Sequence, residues 1–221
     1  MKWLRSNWAE VPGLILDHAA LSLPAIVLSV LIAVPIGRLA QRHRLIGGPI
    51  LGAAALMYAI PALPLFIVIP VIFGLPLRSA GTMVAALTIY GVALLVRTAA
   101  DAFAAVDHEV HDAAVAVGHS RLSVFWRVDL PLAVPVLISG IRVMAVSTVS
   151  LVTIGALIGQ SGLGVLLTDG FQRGIAAEVA TGVVGTVVIA VVADGCVVVL
   201  GRALTPWTRV RPSPTGQGQA A

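Results

Sequence analysis

The chain has 221 residues, of which 58% are hydrophobic and 11% charged, with a net charge of +4 and a mean hydropathy of +1.01. A soluble domain carries about 25% charged residues, so this composition excludes an ordinary globular protein. The arginines stand in short patches between apolar runs, a pattern typical of membrane-protein loops and not of a nucleic-acid-binding face. Cys196 is the single cysteine, which excludes a disulfide framework and a cysteine-based metal site.

Recurring apolar runs predict an all-α, polytopic membrane bundle of about five transmembrane helices. Pro61, Pro64 and Pro70 interrupt the second run, which predicts either one kinked helix or a helix followed by a short broken segment. In chain order the predicted spans are residues 19–37, 46–73, 80–96, 132–158 and 179–200.

The positive charges predict how the chain is oriented. If the loops after the first and third spans and the C-terminus are cytoplasmic, nine basic residues lie inside and four outside. The N-terminus is then outside and the C-terminus inside. We expect an extracytoplasmic segment (1–18), a transmembrane domain (19–206) and a disordered cytoplasmic tail (207–221). The inner set is Arg38, Arg42, Arg44, Arg97, Arg121, Arg127, Arg202, Arg209 and Arg211, and the outer set is Lys2, Arg5, Arg78 and Arg173.

The cytoplasmic connection 97–131 is too long for a simple loop between two membrane helices. Gly118 permits a left-handed turn after one short helix, and Ser120 can cap a second one that carries Leu122, Phe125 and Trp126. We call this helix–glycine–helix unit the elbow. It fits either an amphipathic element on the membrane surface or a docking site for a soluble partner. The first helix has an apolar stripe of Val110, Ala113, Ala114 and Val117.

The residues of the elbow resemble the "EAA" loop of ABC-importer permeases. Asp112-Ala113-Ala114, three residues, Gly118, nine residues and Val128-Asp129-Leu130-Pro131 match that pattern in spacing, with Asp in place of Glu and Val in place of Ile. The resemblance implies a coupling helix that sits in a groove of an ATPase subunit. There Gly118 supplies the turn, and the small Ala113 and Ala114 allow close approach.

A second resemblance covers most of the chain. Ser139-Gly140-Ile141-Arg142, the run 157–164 (Leu-Ile-Gly-Gln-Ser-Gly-Leu-Gly) and the Pro61/Pro64 break are similar to the osmoprotectant permeases, which import glycine betaine, choline or carnitine. Methionine permeases share the same core and remain an alternative, and a membrane scaffold that recruits a soluble partner is another. The likeness implies that the protein lies in the bacterial cytoplasmic membrane, in contact with membrane lipid. It also implies three kinds of protein partner: ATPase subunits, a second permease subunit and an extracytoplasmic solute-binding protein.

The sequence contains no phosphate-binding loop for a nucleotide. Such a loop requires a lysine that follows a glycine-rich run, and the single lysine is Lys2 at the start of the chain. We therefore expect a transporter subunit rather than an enzyme, with no cofactor on this chain and with ATP and magnesium on a partner. The run His108-Glu109-Val110-His111 is one residue short of a zinc-binding spacing and is interpreted as a solvated helix start.

Two ionisable residues fall inside the predicted spans, Arg142 in the fourth and Asp194 in the fifth. At ~1.5 Å per residue they lie at similar depths, so we expect them to pair across the two helices; the alternative is that Arg142 snorkels to water. Irregular backbone can line a cavity, so we expect the solute path or gate to involve Tyr58, Pro61, Pro64, Gly159, Gly162 and Gly164. Apart from the lone Tyr58 and Phe66, the spans show no aromatic cage for a quaternary ammonium, so we expect tight recognition of such a cation to belong mainly to the binding protein.

Overall fold

The computed structural model describes residues 2–76 and 78–209, and the regular elements within those ranges are helices. Most of the tail predicted to be disordered lies outside the described residues. The α-helices are α1 (Lys2–Asn7), α2 (Val11–Arg42), α3 (Arg44–Ala59), α4 (Ala62–Phe73), α5 (Ala80–Ala104), α6 (His108–Ala116), α7 (Arg121–Val124), α8 (Leu130–Val152), α9 (Gly164–Gln172) and α10 (Ala176–Leu204). A π-helical turn covers Phe125–Asp129, and 3₁₀ turns cover Thr153–Ile158 and Pro206–Arg209.

Four helices are long and apolar enough to cross a membrane, and a fifth span results if the bent α3–α4 pair is counted as one. The all-helical membrane bundle predicted from the sequence is thus confirmed. The long helices are α2, α5, α10 and a continuous helix over Arg121–Ile158 that joins α7, the π-helical turn and α8. The second helix of the elbow is therefore not a separate element but the first turns of the fourth span.

The first span is longer than predicted, because α2 begins at Val11 rather than at residue 19. The uninterrupted apolar run starts only near residue 19, because Asp17 and His18 precede it. Asp17 accepts a hydrogen bond from Ser161, and His18, which is fully buried, bonds through Nε2 to the carbonyl oxygen of Val149 at 2.9 Å. These contacts offset part of the cost of placing polar groups in the span, although Nδ1 of His18 is buried without a hydrogen-bond partner in the described part of the chain.

The second span consists of two helices, α3 and α4, bent by 114°. Ile60 and Pro61 have ψ angles of 128° and 139°, so the chain is extended between the helices. Proline disfavours the α region for the residue before it, which accounts for the break at Ile60. Of the two alternatives considered, a kinked helix or a helix and a broken segment, the structure has the second.

The core is arranged in three layers along the bundle, and α5 passes through all of them. At the elbow end, Phe103 packs with Leu137; in the middle, Leu95 and Val96 pack with α8 and α10. At the opposite end, which we call the far end, Met83 and Leu87 pack with α2 and with α4. The bent α4 thus covers the far half of α5, so α3 and α4 together cross the bundle once.

Candidate functional site

The elbow has well-defined helix ends. The Asp107 side chain accepts a hydrogen bond from the backbone N–H of Glu109 at 2.9 Å, which caps the start of α6. Gly118 has a φ of +93°, in the left-handed region, and turns the chain out of that helix. The Ser120 hydroxyl then accepts from the backbone N–H of Ser123 at 3.3 Å and starts α7. The turn at Gly118 and the helix start at Ser120, both predicted from the sequence, thus have the expected backbone conformation and capping hydrogen bond.

The apolar stripe of α6 is uncovered. Every residue of α6 is at least partly exposed, with Val110 at 45% and Val117, just after the helix, at 77%. Successive helical residues are ~100° apart, which places this stripe on the side away from His108, His111 and Val115, the residues that line a cleft against the bundle. The stripe is an apolar surface that no other described part of the chain covers.

The motif residues divide into two groups. Asp112 and Ala113 are exposed and Ala114 is partly exposed on the outer helix. Val128, Leu130 and Pro131 are partly buried, and Leu130 packs into the core layer at the elbow end. The first half of the motif presents a contact surface, and the second half anchors that surface to the bundle.

Asp129 holds the elbow against the bundle, a role that the sequence did not indicate. Its side chain is 2% exposed and accepts hydrogen bonds from Arg38 of α2 and, at 2.9 Å, from Nδ1 of His111 of α6. Arg38 also lies over the ring of Phe103, 5.2 Å from its centroid, and donates to Gln41 at 2.9 Å. A buried carboxylate that accepts hydrogen bonds from a guanidinium and an imidazole fixes three elements to one another.

A cleft of about 1210 Å³ lies between the elbow and the ends of α2 and α5. Its wall is rich in basic and imidazole groups, with Asp101 and the paired Asp129 as its acidic members. Each basic or histidine residue of that wall comes from α2, the elbow or the turn within it. They are Arg38, Arg42, His108, His111, His119 and Arg121.

The glycine-rich segment at the far end is tightly packed. A Cβ on Gly164 would lie 2.2 Å from the Thr153 carbonyl oxygen, and one on Gly162 would lie 3.5 Å from Nδ1 of His18. Gly162 and Gly164 are buried, whereas Gly159, with φ of +82°, is exposed beside the side chain of Arg78. Gly164 therefore permits close contact with the backbone of Thr153, Gly162 supplies a left-handed conformation with φ of +131°, and Gly159 faces the surface.

The predicted solute-facing residues of the second span are exposed. Pro61, Pro64 and Tyr58 lie at the surface of the chain, and Tyr58 is 47% exposed. Its ring centroid is 5.2 Å from that of Tyr90 in α5, so the aromatic group there is a pair. Phe66 is 1% exposed in the core, which removes it as an aromatic contact for a solute.

Arg142 and Asp194 are in direct contact. The guanidinium Nε lies 2.7 Å from Oδ1 and Nη2 lies 2.8 Å from Oδ2, a two-pronged contact between α8 and α10. Both groups lie on the outside of the chain, with side-chain exposures of 46% and 28%. An ion pair at membrane depth is thus exposed on the surface of the single chain.

Known proteins similar to this chain are membrane permeases. The osmoprotectant import permease protein OsmW of Salmonella typhimurium is 30% identical over 92% of this chain and 96% of its own length. The glycine betaine/carnitine/choline permease OpuCD and the choline permease OpuBB of Bacillus subtilis are 27% and 28% identical, covering 86% and 93% of this chain and 82% and 94% of theirs.

Solved structures with the same fold include the MetNI methionine ABC transporter in inward-facing conformations. The match has a TM-score of 0.76 at 19% identity and covers 88% of this chain and 96% of that one. The profile of the family described as "binding-protein-dependent transport system inner membrane component" matches residues 25–210. The chain is therefore a multi-pass permease of the cytoplasmic membrane and belongs to this binding-protein-dependent transport family.

Proposed function

We propose that this permease imports a small quaternary-ammonium solute of the glycine betaine, choline and carnitine class. Support comes from the Bacillus subtilis permeases whose names specify these solutes and from the Salmonella typhimurium permease named for osmoprotectants, all of which align with most of the chain. The pair of exposed Tyr58 and partly exposed Tyr90 is compatible with such a cation, since aromatic faces attract quaternary ammonium groups.

The elbow is the proposed docking site for an ATPase subunit. The observation that carries this proposal is the uncovered apolar stripe on α6, supported from behind by the buried Asp129 bridge. Small Ala113 and Ala114 on the stripe leave room for a partner to approach the helix backbone closely. ATP and magnesium would be bound by that partner. The elbow end is then cytoplasmic, the C-terminus lies inside and the N-terminus outside.

A second permease subunit, identical or paralogous, would complete the solute path, because five spans are few for enclosing one. Closure of the two ATPase subunits would rock the bundles between inward-open and outward-open states, a shift of population driven by nucleotide binding. The gate would involve the Pro61/Pro64 break and Gly159–Gly164. A solute-binding protein would deliver the solute to the far end.

Two alternatives make different predictions. A methionine permease shares the fold, as the MetNI likeness indicates, but would transport labelled methionine. A scaffold that merely recruits a soluble partner would bind that partner through the elbow and transport nothing.

The test is uptake by the complete complex in a transport-deficient host, with the ATPase and binding protein that accompany this chain co-expressed. Labelled glycine betaine, choline, carnitine and methionine are supplied separately. The Ala113→Phe variant fills the stripe and should abolish both ATPase co-purification and uptake. The matched control is Ala105→Phe, the same change at an exposed alanine just after α5, outside the stripe.

The proposed solute class and the proposed docking site would both be supported by one result. The complex would take up glycine betaine, choline or carnitine, and that uptake would be lost in Ala113→Phe and kept in Ala105→Phe. Uptake of methionine alone would overturn the solute class and leave the coupling role standing. Normal uptake by Ala113→Phe would overturn docking at this stripe. Assembly without uptake of any solute would favour the scaffold.

A further inference from the structure

The Arg142–Asp194 pair lies near the middle of the membrane. Arg142 is 12 residues from the start of α8, and Asp194 is 10 residues from the end of α10. At ~1.5 Å per residue these positions are about 18 Å and about 15 Å from the elbow end of their helices. A bilayer has a hydrocarbon core of about 30 Å, so the pair lies about halfway across it.

The pair belongs to a polar stripe on α8. Ser139, Arg142, Ser150 and Thr153 follow one another at intervals of 3, 8 and 3 residues. With ~100° between neighbours, all four fall within an arc of about 80° on one side of α8 and of the first residue of the 3₁₀ turn after it, an arc that also contains Val146. The two serines and Arg142 are exposed, and Thr153 is partly exposed. We refer to these four residues as the polar stripe.

The hydroxyl groups of the polar stripe bond to their own helix and reach no neighbouring one. Ser139 donates to the carbonyl of Val136 at 2.6 Å, and Ser150 to that of Val146 at 3.1 Å. The guanidinium of Arg142 uses two of its five N–H groups on Asp194. Its remaining N–H groups require acceptors, which hydrocarbon does not supply.

The opposite side of α8 is packed against α5. A Cβ on Gly140 would lie 2.6 Å from Cγ2 of Thr98, and Met144 and Ala145 are fully buried. In contrast, the uncovered surface of α10 has the composition expected of a lipid contact, since it consists mainly of valines. Seven of these are more than 45% exposed: Val183, Val184, Val187, Val188, Val191, Val192 and Val199. Val188, Val192 and Val199 lie 120–160° around the helix from Asp194, as estimated at ~100° per residue, and form an apolar face turned away from the ion pair.

We propose that the polar stripe and Asp194 line the water-filled solute path of the assembled permease, and that the ion pair contacts a zwitterionic solute. Water in the path satisfies the free N–H groups of Arg142, and the valines on the other side of α10 (Val188, Val192 and Val199) face lipid. Arg142 attracts the carboxylate of a betaine, and Asp194 attracts its quaternary ammonium group. The solute contact depends on the proposed solute class, but the water-filled path does not.

Thiol labelling tests the path in the assembled complex in proteoliposomes. In a Cys196→Ala background, Ser139→Cys and Ser150→Cys are compared with Val199→Cys and Val188→Cys, two exposed α10 positions at similar depths that lie about 140° and about 120° around the helix from Asp194. A water-soluble, positively charged thiosulfonate should label the two serine variants at least 10-fold faster than the two valine variants. Equal, slow labelling of all four would overturn the path. Spontaneous disulfide formation between two copies of Ser150→Cys without labelling would also overturn it, because the face would then be a dry subunit interface.

Solute selectivity tests the ion pair. Choline has the quaternary ammonium group but no carboxylate, so Arg142→Gln should lower the ratio of glycine betaine uptake to choline uptake at least fivefold. Asp194→Asn should lower uptake of both solutes about equally. A pair with a purely structural role would leave the ratio unchanged in Arg142→Gln, and that result would overturn the solute contact. If the wild-type complex transports neither solute, the proposed solute class is wrong. The labelling result still shows whether the polar stripe lines a water-filled path.

Discussion

Replacing Asp129 by Asn tests whether a buried bridge keeps the elbow in place. The side chain is 2% exposed and accepts from Arg38 and His111, which belong to α2 and α6. Asn presents one acceptor oxygen, and its NH2 group faces the second donor, so one of the two charge-assisted contacts is lost. Such a contact contributes about 1.5–3 kcal/mol, and we take about 2 kcal/mol for this site.

A loss of about 2 kcal/mol corresponds to an increase of about 30-fold in the population of the detached elbow. Hydrogen exchange measured by mass spectrometry on the protein in nanodiscs reports this opening, since local opening governs amide exchange. The amides of residues 109–118 should therefore exchange about 30-fold faster in Asp129→Asn than in the wild type. Uptake per ATP hydrolysed should fall in the same variant, because a loosened elbow transmits less of the ATPase motion.

The matched control is Asp101→Asn, the same change at an exposed carboxylate on the wall of the same cleft. In this variant the amides of residues 109–118 should exchange at the wild-type rate. Wild-type exchange of α6 in Asp129→Asn would refute the bridge, and so would equal acceleration in both variants, since that would reflect a general effect of lost negative charge.

Three further outcomes follow from local geometry. Gly118→Ala places a side chain at φ +93°, at a cost of about 1–2 kcal/mol, so it should lower uptake while Gly118→Asn retains most of it. Gly164→Ala should destabilise the detergent-solubilised protein by about 1–3 kcal/mol in thermal unfolding, because its Cβ would meet the Thr153 carbonyl; Gly52→Ala, with open space around it, should not. Tyr58→Leu should raise the KM for a quaternary-ammonium solute about fivefold, as expected for loss of about 1 kcal/mol of cation–π attraction, and Tyr58→Phe should leave it unchanged.

Local signals in the sequence were sufficient for the elbow. Gly118 and Ser120 define its turn and its second helix start by backbone conformation and capping, both of which act over a few residues. Depth along a helix is also a local quantity, so counting residues was enough to anticipate that Arg142 and Asp194 could meet. Apolar composition likewise predicted the four long helices and the interrupted segment that could form a fifth span.

Long-range pairing explains what the sequence could not predict. Arg38 and Asp129 are 91 positions apart, and nothing in either neighbourhood indicates the other. His18 bonds to the carbonyl oxygen of Val149, 131 positions away, and no local signal indicates that contact. The prolines of the second span predicted a break but not its 114° angle, which depends on how α4 packs against α5.

The continuity of the fourth span connects the elbow with the polar stripe. Arg121–Ile158 is one helix of 38 residues, about 57 Å long, with exposed Leu122 near the elbow and Arg142 near its middle. The π-helical turn Phe125–Asp129 interrupts the regular α-helical hydrogen bonding of this helix. It contains Asp129, the residue that bridges to α2 and α6. Such turns are local irregularities often found at functional sites. A displacement of the elbow that breaks or shifts the Asp129 contacts would therefore bend the helix at this turn or carry the polar stripe with it as a rigid rod. Only in the second case would a displacement of the elbow move charged groups halfway across the bilayer, whereas bending at the turn would absorb it.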